Sequence, residues 1–536
     1  MSVPLPARKL VETGSPHPLP CASAKEMAKP MEVVLAHYRA HGKDGEPLAT
    51  CLAMLDGAPP SVAAALEAMT PEWRDHAVAC VYALLMPHGA RKRLGAYFTP
   101  PHLVHHLLGR VGGLGVVLAH ARFHDPAAGG AAFIVPLARR LTTLWIASGA
   151  RRGTVVKRLA ERLAGTEIDP SLAALANELI RRMLVREHGV LPGLAKALSL
   201  IRTGDSLADD RDIPAGSHEI GNPPYRRLSA DEHDDAASRF KDIASGRMNL
   251  YAMFVRAGLD NVPVGGTVSH VVPASFLSGP EFRAFRKRVV QLADVEVLDL
   301  IEARESVFLD VLQDACFLIL RKRDPGRAAD ARGTSTGIFR SDGTLASKRD
   351  IVLPADGSPW PLPGDFSLEG VTLAELGYRA GVGYLVAGRQ NHLLHPQPGP
   401  GRFPLVWAKA ITGEGILDHA RGAKSKGAGW AAPPNSAGVI REACVVVQRT
   451  SSRGQRKRVN AAPVTDAFLR QHGGFVAENH VLVLTRTRAD APSPERLADL
   501  LNSPAVNDAV GRACGSASIP VAVLSAVLLP PLSSLT

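Results

Sequence analysis

The stretch that decides the fold is residues 123–133, which read FHDPAAGGAAF. An apolar approach ends at Asp125, a turn of small residues follows, and an apolar helical segment begins after it. Small residues such as Ala127 and Gly129 let a ligand approach backbone N–H groups at the start of that helix. This order predicts the first βα unit of a doubly wound α/β sheet, although turns of this composition also occur elsewhere in α/β proteins.

Two further acidic residues stand where the next strands of such a sheet would end. Glu167 closes the segment 163–167 and precedes a helix start with Asp169 as N-cap, and Asp205 closes the segment 201–205. Because ligands bind at the carboxyl ends of parallel strands, Glu167 is predicted to accept from ribose hydroxyls and Asp205 from an adenine amino group. Either acid alone would also suit a helix cap or a solvated loop, so the prediction depends on their order.

The segment 221–225, GNPPY, follows these acids and carries the predicted chemistry. An exocyclic amino nitrogen is a poor nucleophile until two acceptors hold its N–H bonds. The side-chain oxygen of Asn222 and the backbone carbonyl of Pro223 would be those acceptors, because consecutive prolines restrict the backbone. Tyr225 would stack on the base, and positioning would carry the rate. The alternative is an ordinary turn.

Together with their neighbours, these motifs resemble the gamma-class N6-adenine DNA methyltransferases, the N-6 DNA methylases of restriction-modification systems. The resemblance runs from residue 95 to 322 and includes GAYFTP at 95–100, NLY at 249–251 and the segment 307–314. It implies S-adenosyl-L-methionine as the methyl donor and a flipped adenine of double-stranded DNA as the substrate. It also implies that Tyr97 and Thr99 contact the methionine part of the donor and that Asp125, Ala127 and Gly129 belong to the donor-binding site. Asn222 would border the donor, and Phe308 would pack against the flipped adenine.

The donor loop departs from the family pattern Asp-Pro-Ala-Cys-Gly-Ser-Gly at three positions, Ala128, Gly130 and Ala131. The Cβ atom of Ala131 is expected where the backbone approaches the donor, which would weaken donor binding, and Gly130 would loosen the turn. The segment 217–220 before the catalytic loop also lacks the usual apolar run. A non-catalytic DNA-binding subunit with a degenerate donor site therefore stays open.

A protein-glutamine or RNA methyltransferase is a further alternative, because an amide or ring amino group poses the same chemical problem. The segment 97–100 and the charge distribution favour DNA. The net charge is +11, and residues 421–458 carry nine Lys or Arg and one acidic residue. Within that range, a small polar loop holds the predicted DNA-binding residues: Arg449, Arg453, Arg456, Lys457 and Arg458. The alternative for this loop is a solvated charged segment.

The predicted architecture is an α/β, Rossmann-like S-adenosylmethionine-dependent methyltransferase domain with helical and α+β additions. The expected divisions are a disordered tail at 1–30, a helical region at 31–94, the catalytic domain at 95–325, its end and a linker at 326–370, and an α+β target-recognition domain at 371–536. Composition and repeated apolar spacing support these divisions.

The six cysteines are scattered without a Cys-x-x-Cys spacing, which argues against a zinc site and against a disulfide framework. No apolar run reaches membrane-spanning length. We therefore expect no metal, no membrane and a reducing cytoplasm. The resemblance also implies a possible separate restriction endonuclease as a partner.

Overall fold

The computed structural model describes residues 22–42, 45–87, 89, 98–208, 216–229, 232, 238–244, 248–277, 279–302, 315–327, 333–340, 342–361, 370–450, 457–513 and 518–530. Within it, the chain forms two compact units. The first unit comprises residues 1–276 and 281–363, and the second comprises residues 277–280 and 364–536.

One mixed sheet forms the centre of the first unit. Its strands are β1 (Phe123–Asp125), β2 (Leu163–Glu167), β3 (Ile201–Thr203), β4 (His218–Gly221), β5 (Thr267–Pro273), β6 (Ala293–Ile301), β7 (Ala315–Lys322), β8 (Thr334–Phe339) and β9 (Leu345–Ile351). Their order in the sheet is β3-β2-β1-β4-β5-β7-β6-β8-β9. Strands β1 to β5 are parallel, whereas β7 runs antiparallel between β5 and β6. The strand order reverses between β1 and β4, and this confirms the predicted doubly wound sheet.

The helices of the first unit are α1 (Ala24–His41), α2 (Pro47–Asp56), α3 (Pro60–Glu67), α4 (Pro71–Leu85), α5 (Pro101–Gly113), α6 (Ile134–Ala147), α7 (Arg152–Arg162), α8 (Pro170–His188), α9 (Pro192–Lys196), α10 (Leu250–Asn261) and α11 (Arg283–Leu292). Helices α1 and α2 pack against α4, α3 packs against α1, and α2 also contacts α8. The buried apolar side chains of these helices and of the sheet form one continuous core. The N-terminal helices are therefore part of the same unit as the sheet.

Apolar sequence explains the central strands. Strand β5 is buried at all seven positions and β7 at its first six, as expected for strands covered on both faces. Helix α8 begins where Asp169 accepts from the N–H groups of Ser171 and Leu172, and it ends at Gly189 in the left-handed conformation with φ of 62°. This helix therefore has both ends capped by the residue types that its sequence predicts.

One predicted boundary is wrong. Helix α1 begins at Ala24, with a capping box between Ser23 and Glu26, so the predicted disordered tail at 1–30 is too long. Within the range 326–370, predicted as the end of the catalytic domain and a linker, strands β8 and β9 extend the sheet beside β6. The sequence left these two strands ambiguous because β9 is polar and at most half-buried.

The second unit has an α+β architecture. Its strands are β10 (Tyr378–Val382), β11 (Leu394–His395), β12 (Phe403–Val406), β13 (Trp430–Ala431), β14 (Cys444–Gln448), β15 (Ala461–Val464), β16 (Val476–Ala477) and β17 (Val481–Arg486). They form two four-stranded sheets, ordered β10-β17-β14-β15 and β11-β13-β12-β16. The helices are α12 (His419–Lys426), α13 (Asp466–His472), α14 (Pro494–Asn502), α15 (Pro504–Ala513) and α16 (Val521–Ala526).

Among the described residues, no single helix is both long and apolar enough to cross a bilayer. Helices α2 and α3 meet the length and composition criteria only as a pair, and they are bent by 74° relative to each other. Both helices bury side chains in the core of the first unit, including Cys51 and Val62.

Candidate functional site

A cavity of about 400 Å³ lies at the carboxyl ends of strands β1 to β4 in the first unit. Its wall is formed by residues 98–99, 126–129, 132–133, 167–168, 172, 204–207, 222, 224, 226, 228, 232, 239, 250 and 253–254. Six of the predicted donor and catalytic residues border it, namely Thr99, Ala127, Gly129, Glu167, Asp205 and Asn222. Tyr97 and Phe308 lie outside the described residues.

The turn after β1 requires glycine at position 129. Gly129 has a φ of 52°, a left-handed backbone conformation that disfavours other residues. A Cβ atom there would stand 2.9 Å from the Phe98 ring, which also borders the cavity. The narrow turn therefore exists because position 129 carries no side chain.

Glu167 links this turn to the end of β2. One carboxylate oxygen, Oε2, accepts from the N–H of Gly129 at 2.8 Å, and Oε1 accepts from the N–H of Asp169 at 3.0 Å. The side chain is buried, and burial raises its pKa above the ordinary value although these N–H groups oppose the shift. Glu167 thus holds the two loops together and presents its carboxylate to the cavity.

Ala131 does not obstruct the cavity, contrary to the expectation from sequence. It is fully buried, and it borders a small neighbouring cavity of about 20 Å³ and not the larger one. Its backbone has a φ of 57°, so this alanine adopts the strained left-handed conformation that glycine adopts easily. Its methyl group does not border the larger cavity. Gly130 is equally confined, because a Cβ atom there would lie 2.7 Å from the Cβ atom of Ala79. The alternative of a degenerate donor site loses its main support.

Thr99 brings a buried hydroxyl group to the cavity wall. The residue is 2% exposed, and its Oγ1 atom has no hydrogen-bond partner among the described residues. A buried hydroxyl without a partner is unfavourable, so a ligand that hydrogen-bonds to it would remove that penalty.

Asp205 lies just beyond the carboxyl end of strand β3 and is exposed. Its Oδ1 atom accepts from the N–H of Leu207 at 2.8 Å, while the N–H of Gly204 donates to the backbone carbonyl of Glu167. Within the described residues, no hydrogen bond is found to the second carboxylate oxygen of Asp205. Two of the three acids predicted to bind the donor, Glu167 and Asp205, therefore border one cavity, and the third, Asp125, does not.

Asp125 does not border the cavity. It is fully buried, its Oδ1 accepts from the N–H of Ala127 at 3.1 Å, and burial raises its pKa well above the ordinary value. A Cβ atom at Gly221, the last residue of β4, would stand 2.7 Å from this carboxylate. The structure gives Asp125 a place beneath both loops, where it supports the turn after β1 and packs against the start of the GNPPY segment.

The GNPPY loop contributes Asn222 and Pro224 to the cavity wall, whereas Pro223 is buried outside it. The Tyr225 hydroxyl donates to the backbone carbonyl of Val271 in β5 at 3.1 Å. Its ring meets Tyr251 edge to face, with centroids 6.3 Å apart. Tyr225 is thereby held against the sheet and helix α10, and it does not border the cavity in this conformation.

The weak apolar pattern of β4 has a structural reason. Glu219 in β4 and His270 in β5 are both buried, with Nε2 of His270 3.2 Å from Oε1 of Glu219. His124 in β1 lies beside Glu219 in the strand register, and its Nε2 atom is 3.0 Å from the Thr166 hydroxyl. A buried polar row therefore runs across the strands that lead to the site.

Sequence analysis missed Arg226 and Glu232. Both border the cavity and form an ion pair, with Nη1 of Arg226 2.7 Å from Oε2 of Glu232. The signal was present as two consecutive arginines directly after the GNPPY segment.

The predicted DNA-binding loop is described only in part. Arg453 and Arg456 lie outside the described residues. Arg449 donates to the backbone carbonyl of Asn479, Lys457 donates to that of Gly413, and Arg458 is half-buried. Helix α12 adds three exposed basic side chains, Arg421, Lys424 and Lys426. The described part of the chain holds no cluster of three His, Cys, Asp or Glu side chains that could bind a metal ion.

The GNPPY loop and the strands after it lie in the segment that matches a known family. Residues 220–308 match the model of the Eco57I restriction-modification methylase. The chain is 26% identical over 292 residues to Type II methyltransferase M.BsuBI of Bacillus subtilis, which covers 50% of this chain and 55% of that protein. It is 24% identical over 366 residues to Type II methyltransferase M.PaeR7I of Pseudomonas aeruginosa, covering 62% of each. The aligned part thus spans about half to three-fifths of these relatives. The predicted resemblance to restriction-modification methylases is confirmed.

Solved structures agree on the fold. The Type IIL restriction-modification enzyme MmeI in complex with DNA superposes with a TM-score of 0.51 at 13% identity, over 96% of this chain and 80% of that chain. A nuclease-deletion mutant of the Type ISP enzyme LlaGI, in complex with a DNA substrate mimic, gives the same TM-score at 12% identity, over 95% and 52%. The Rossmann-like fold predicted for the methyltransferase domain is confirmed.

Proposed function

We propose that this chain transfers a methyl group from S-adenosyl-L-methionine to the N6 amino group of adenine in double-stranded DNA, as the methyltransferase of a restriction-modification system. The observation that carries the proposal is that one cavity joins Asn222 of the GNPPY loop to Glu167 and Asp205 at the neighbouring strand ends. The similarity to Type II methyltransferases supports the class of reaction.

The residues of the cavity fit the proposed donor. The Glu167 carboxylate would accept from ribose hydroxyls, the Asp205 carboxylate would accept from the adenine amino group, and the buried Thr99 hydroxyl would meet the methionine part. The turn at Ala127 and Gly129 would let the donor approach the backbone closely. When bound, the donor supplies an electrophilic methyl group on a sulfonium centre.

The GNPPY loop would orient the base that receives the methyl group. The Asn222 side-chain oxygen and the Pro223 backbone carbonyl would accept from the two N–H bonds of the amino group and so direct its nitrogen lone pair toward the cavity. Tyr225 and Phe308 would stack on the two faces of the flipped base, and stacking would offset the few kcal/mol that flipping costs. Stacking by Tyr225 requires its ring to turn from its present contacts with β5 and Tyr251.

DNA binding is assigned to the second unit in this proposal. Its loop with Arg449, Arg453, Arg456, Lys457 and Arg458 would contact phosphates and base edges. In the proposed organisation, residues 95–325 catalyse transfer and residues 371–536 recognise the target sequence. A separate endonuclease would cleave the same sequence when it is unmethylated.

The test is transfer of labelled methyl groups from S-adenosyl-L-methionine to unmethylated plasmid DNA, with the modified positions mapped by single-molecule sequencing. We expect methyl groups on adenine within one short sequence. The variant Asn222→Ala should lose at least a hundredfold in kcat, on the scale of one lost transition-state hydrogen bond. The exposed Asn391 provides a matched control, and Asn391→Ala should transfer at the native rate. Near-native transfer by folded Asn222→Ala would refute the assignment.

A further inference from the structure

Three charged residues that border the cavity, Arg226, Glu232 and Arg239, are not used in the reaction proposed above, and the first two form an ion pair. Arg226 follows Tyr225 directly, and its Nη1 and Nη2 atoms donate to the two carboxylate oxygens of Glu232 at 2.7 and 2.9 Å. Both residues border the cavity. The Arg226 side chain is 24% exposed, so its guanidinium lies in the cavity wall and not on open surface.

The backbone around Arg226 is fixed relative to the catalytic loop. Its carbonyl accepts from the N–H of Leu250 at 2.9 Å, and the N–H of Leu228 donates to the carbonyl of Met248 at 3.0 Å. These bonds tie the segment after the GNPPY loop to the start of helix α10. The backbone at Arg226 is therefore fixed next to the start of α10, and Arg226 and Asn222 border the same cavity.

The guanidinium group of Arg226 is held in one orientation by the Glu232 carboxylate. Nε of Arg226 is buried, and no described residue accepts from it. The two Nη atoms are engaged by a carboxylate in the planar, two-bond arrangement that arginine also forms with phosphate. Glu232 is itself held by Ser229, whose N–H and hydroxyl both donate to Oε2. A phosphate that replaced this carboxylate would meet a guanidinium that is already oriented.

We propose that Arg226 binds the DNA phosphate next to the target adenine, and that Glu232 keeps its guanidinium in position until that phosphate arrives. This inference rests on the proposed function and extends it to the strand that carries the base. The donor carboxylate is a second source of paired anionic oxygens. DNA is favoured because Arg226 lies on the loop that holds the base, whereas Thr99, the expected partner of the methionine part, lies in a separate segment before α5.

The experiment measures DNA and donor binding separately in Arg226→Gln, Glu232→Gln and a control. For Arg226→Gln we expect the KM for plasmid DNA to rise about tenfold. The slope of log affinity against log salt should decrease in magnitude by about 0.9. The Kd for S-adenosyl-L-methionine without DNA should not change. Glu232→Gln should lower the KM for DNA about threefold, because the competing charge is removed.

Arg227→Gln is the matched control. Arg227 is the adjacent arginine, is 62% exposed, pairs with Glu281 at 2.9 Å and does not border the cavity. Its KM for DNA should change less than twofold. Equal losses in Arg226→Gln and Arg227→Gln would reduce the effect to net charge and overturn the proposal. Weaker donor binding with an unchanged KM for DNA would also overturn it and would assign Arg226 to the donor carboxylate.

Two further arms keep the result interpretable. If Arg226→Gln does not fold, Arg226→Lys tests the same idea, because it keeps the charge but not the two-bond geometry. It should preserve the salt slope and still raise the KM for DNA. If the wild-type protein transfers no methyl group, the proposed function fails, and the Arg226 assignment is then judged by the affinities of the same variants for plasmid DNA.

Discussion

At the scale of single residues, the shape of the cavity depends on backbone conformation at the turn after β1. Gly129 is left-handed, lies against the Phe98 ring and donates its N–H to Glu167. A side chain at this position would have to displace a buried aromatic ring that forms part of the cavity wall. We therefore expect substitution at position 129 to affect the ligand more than the fold.

Gly129→Ala tests this expectation. The left-handed conformation costs a non-glycine residue about 1–2 kcal/mol in the free energy of unfolding. The displaced Phe98 ring should in addition weaken S-adenosyl-L-methionine binding at least tenfold. Gly149→Ala is the control, because Gly149 has a φ of 85° with no atom near its Cβ position. It should show the stability loss alone in urea unfolding, with donor affinity by calorimetry unchanged. Equal donor affinities for both variants would contradict the assignment.

Thr99→Val separates ligand binding from stability in the opposite direction. Removing a buried hydroxyl without a partner among the described residues should leave the free energy of unfolding unchanged or raise it by up to about 1 kcal/mol. The Kd for S-adenosyl-L-methionine should rise about fivefold to tenfold, as for one lost hydrogen bond. Calorimetry and thermal unfolding of the same sample give both quantities. A destabilised variant with native donor affinity would assign the hydroxyl to the fold.

The sequence located these residues because strand ends in a doubly wound sheet converge. Glu167, Asp205 and Asn222 were predicted from their order and border one cavity. Ala131 was misjudged because the direction of a side chain in a turn depends on φ, which residue type does not reveal. Arg226 was missed because its partner, Glu232, follows six residues later with no regular pattern between them.

At the scale of elements, helix α10 packs closely against strand β4, which leads into the GNPPY loop. Gly258 in α10 lies so close to β4 that an added Cβ atom would stand 2.3 Å from the Glu219 carboxylate. Glu219 precedes Asn222 by three residues. The helix therefore approaches β4 closely only because position 258 is glycine, and the approach also encloses the Glu219–His270 pair.

Gly258→Ala should push α10 away from β4 and reduce the free energy of unfolding by about 1–3 kcal/mol, the usual range for overpacking. Gly109→Ala in α5 is the control, because nothing lies within 4 Å of its Cβ position. It should instead stabilise the protein by about 0.5–1 kcal/mol, since alanine favours helix. Urea unfolding measures both. A stabilising Gly258→Ala would show that the helix can move without loss.

Element prediction succeeded where burial dictates composition and failed where it does not. Strands β5 and β7 are buried along most of their length, and β1 to β3 are marked by the acids at or just beyond their ends. Strand β4 read as weak because it buries a charged residue, Glu219, whose carboxylate lies 3.2 Å from His270 on another strand. Strand β9 falls in the range predicted as the end of the catalytic domain and a linker. It lies at the sheet edge and is polar, so its sequence lacks the apolar pattern that would identify a strand paired with β8.

At the scale of the whole molecule, buried histidines make stability depend on pH. Burial lowers the pKa of His124 to about 4, below its ordinary value near 6.5. Between these two values the unfolded chain binds a proton that the folded chain does not, so stability falls as pH falls. The contribution of His124 lost between pH 7 and pH 5 is about 2 kcal/mol.

His124→Asn should therefore flatten the dependence of the free energy of unfolding on pH between 7 and 5. Denaturant unfolding at several pH values measures this slope. The exposed His120 gives the control, and His120→Asn should run parallel to the wild type. A slope unchanged in His124→Asn would place the pH dependence in other groups.

The basic surface of the second unit should govern the salt dependence of DNA binding. Replacing the exposed Arg421, Lys424 and Lys426 of α12 with glutamine should reduce the slope of log affinity against log salt by up to about 2.7, at about 0.9 for each phosphate contact. The control replaces the exposed Lys25, Lys29 and Lys157 of the first unit and makes the same change in net charge. Equal slopes for the two triple variants would mean that α12 does not contact DNA.

The packing of Gly221 against Asp125 limits how the two loops of the site can change, by engineering or by evolution. The carboxylate that supports the turn after β1 occupies the space that a side chain at the start of the GNPPY loop would need. A larger side chain in either loop would therefore require the other loop to move. We expect an exchange of both loops together, taken from one relative, to be tolerated. If that relative has a larger residue at position 221, an exchange of one loop alone would mismatch the two loops and disrupt both.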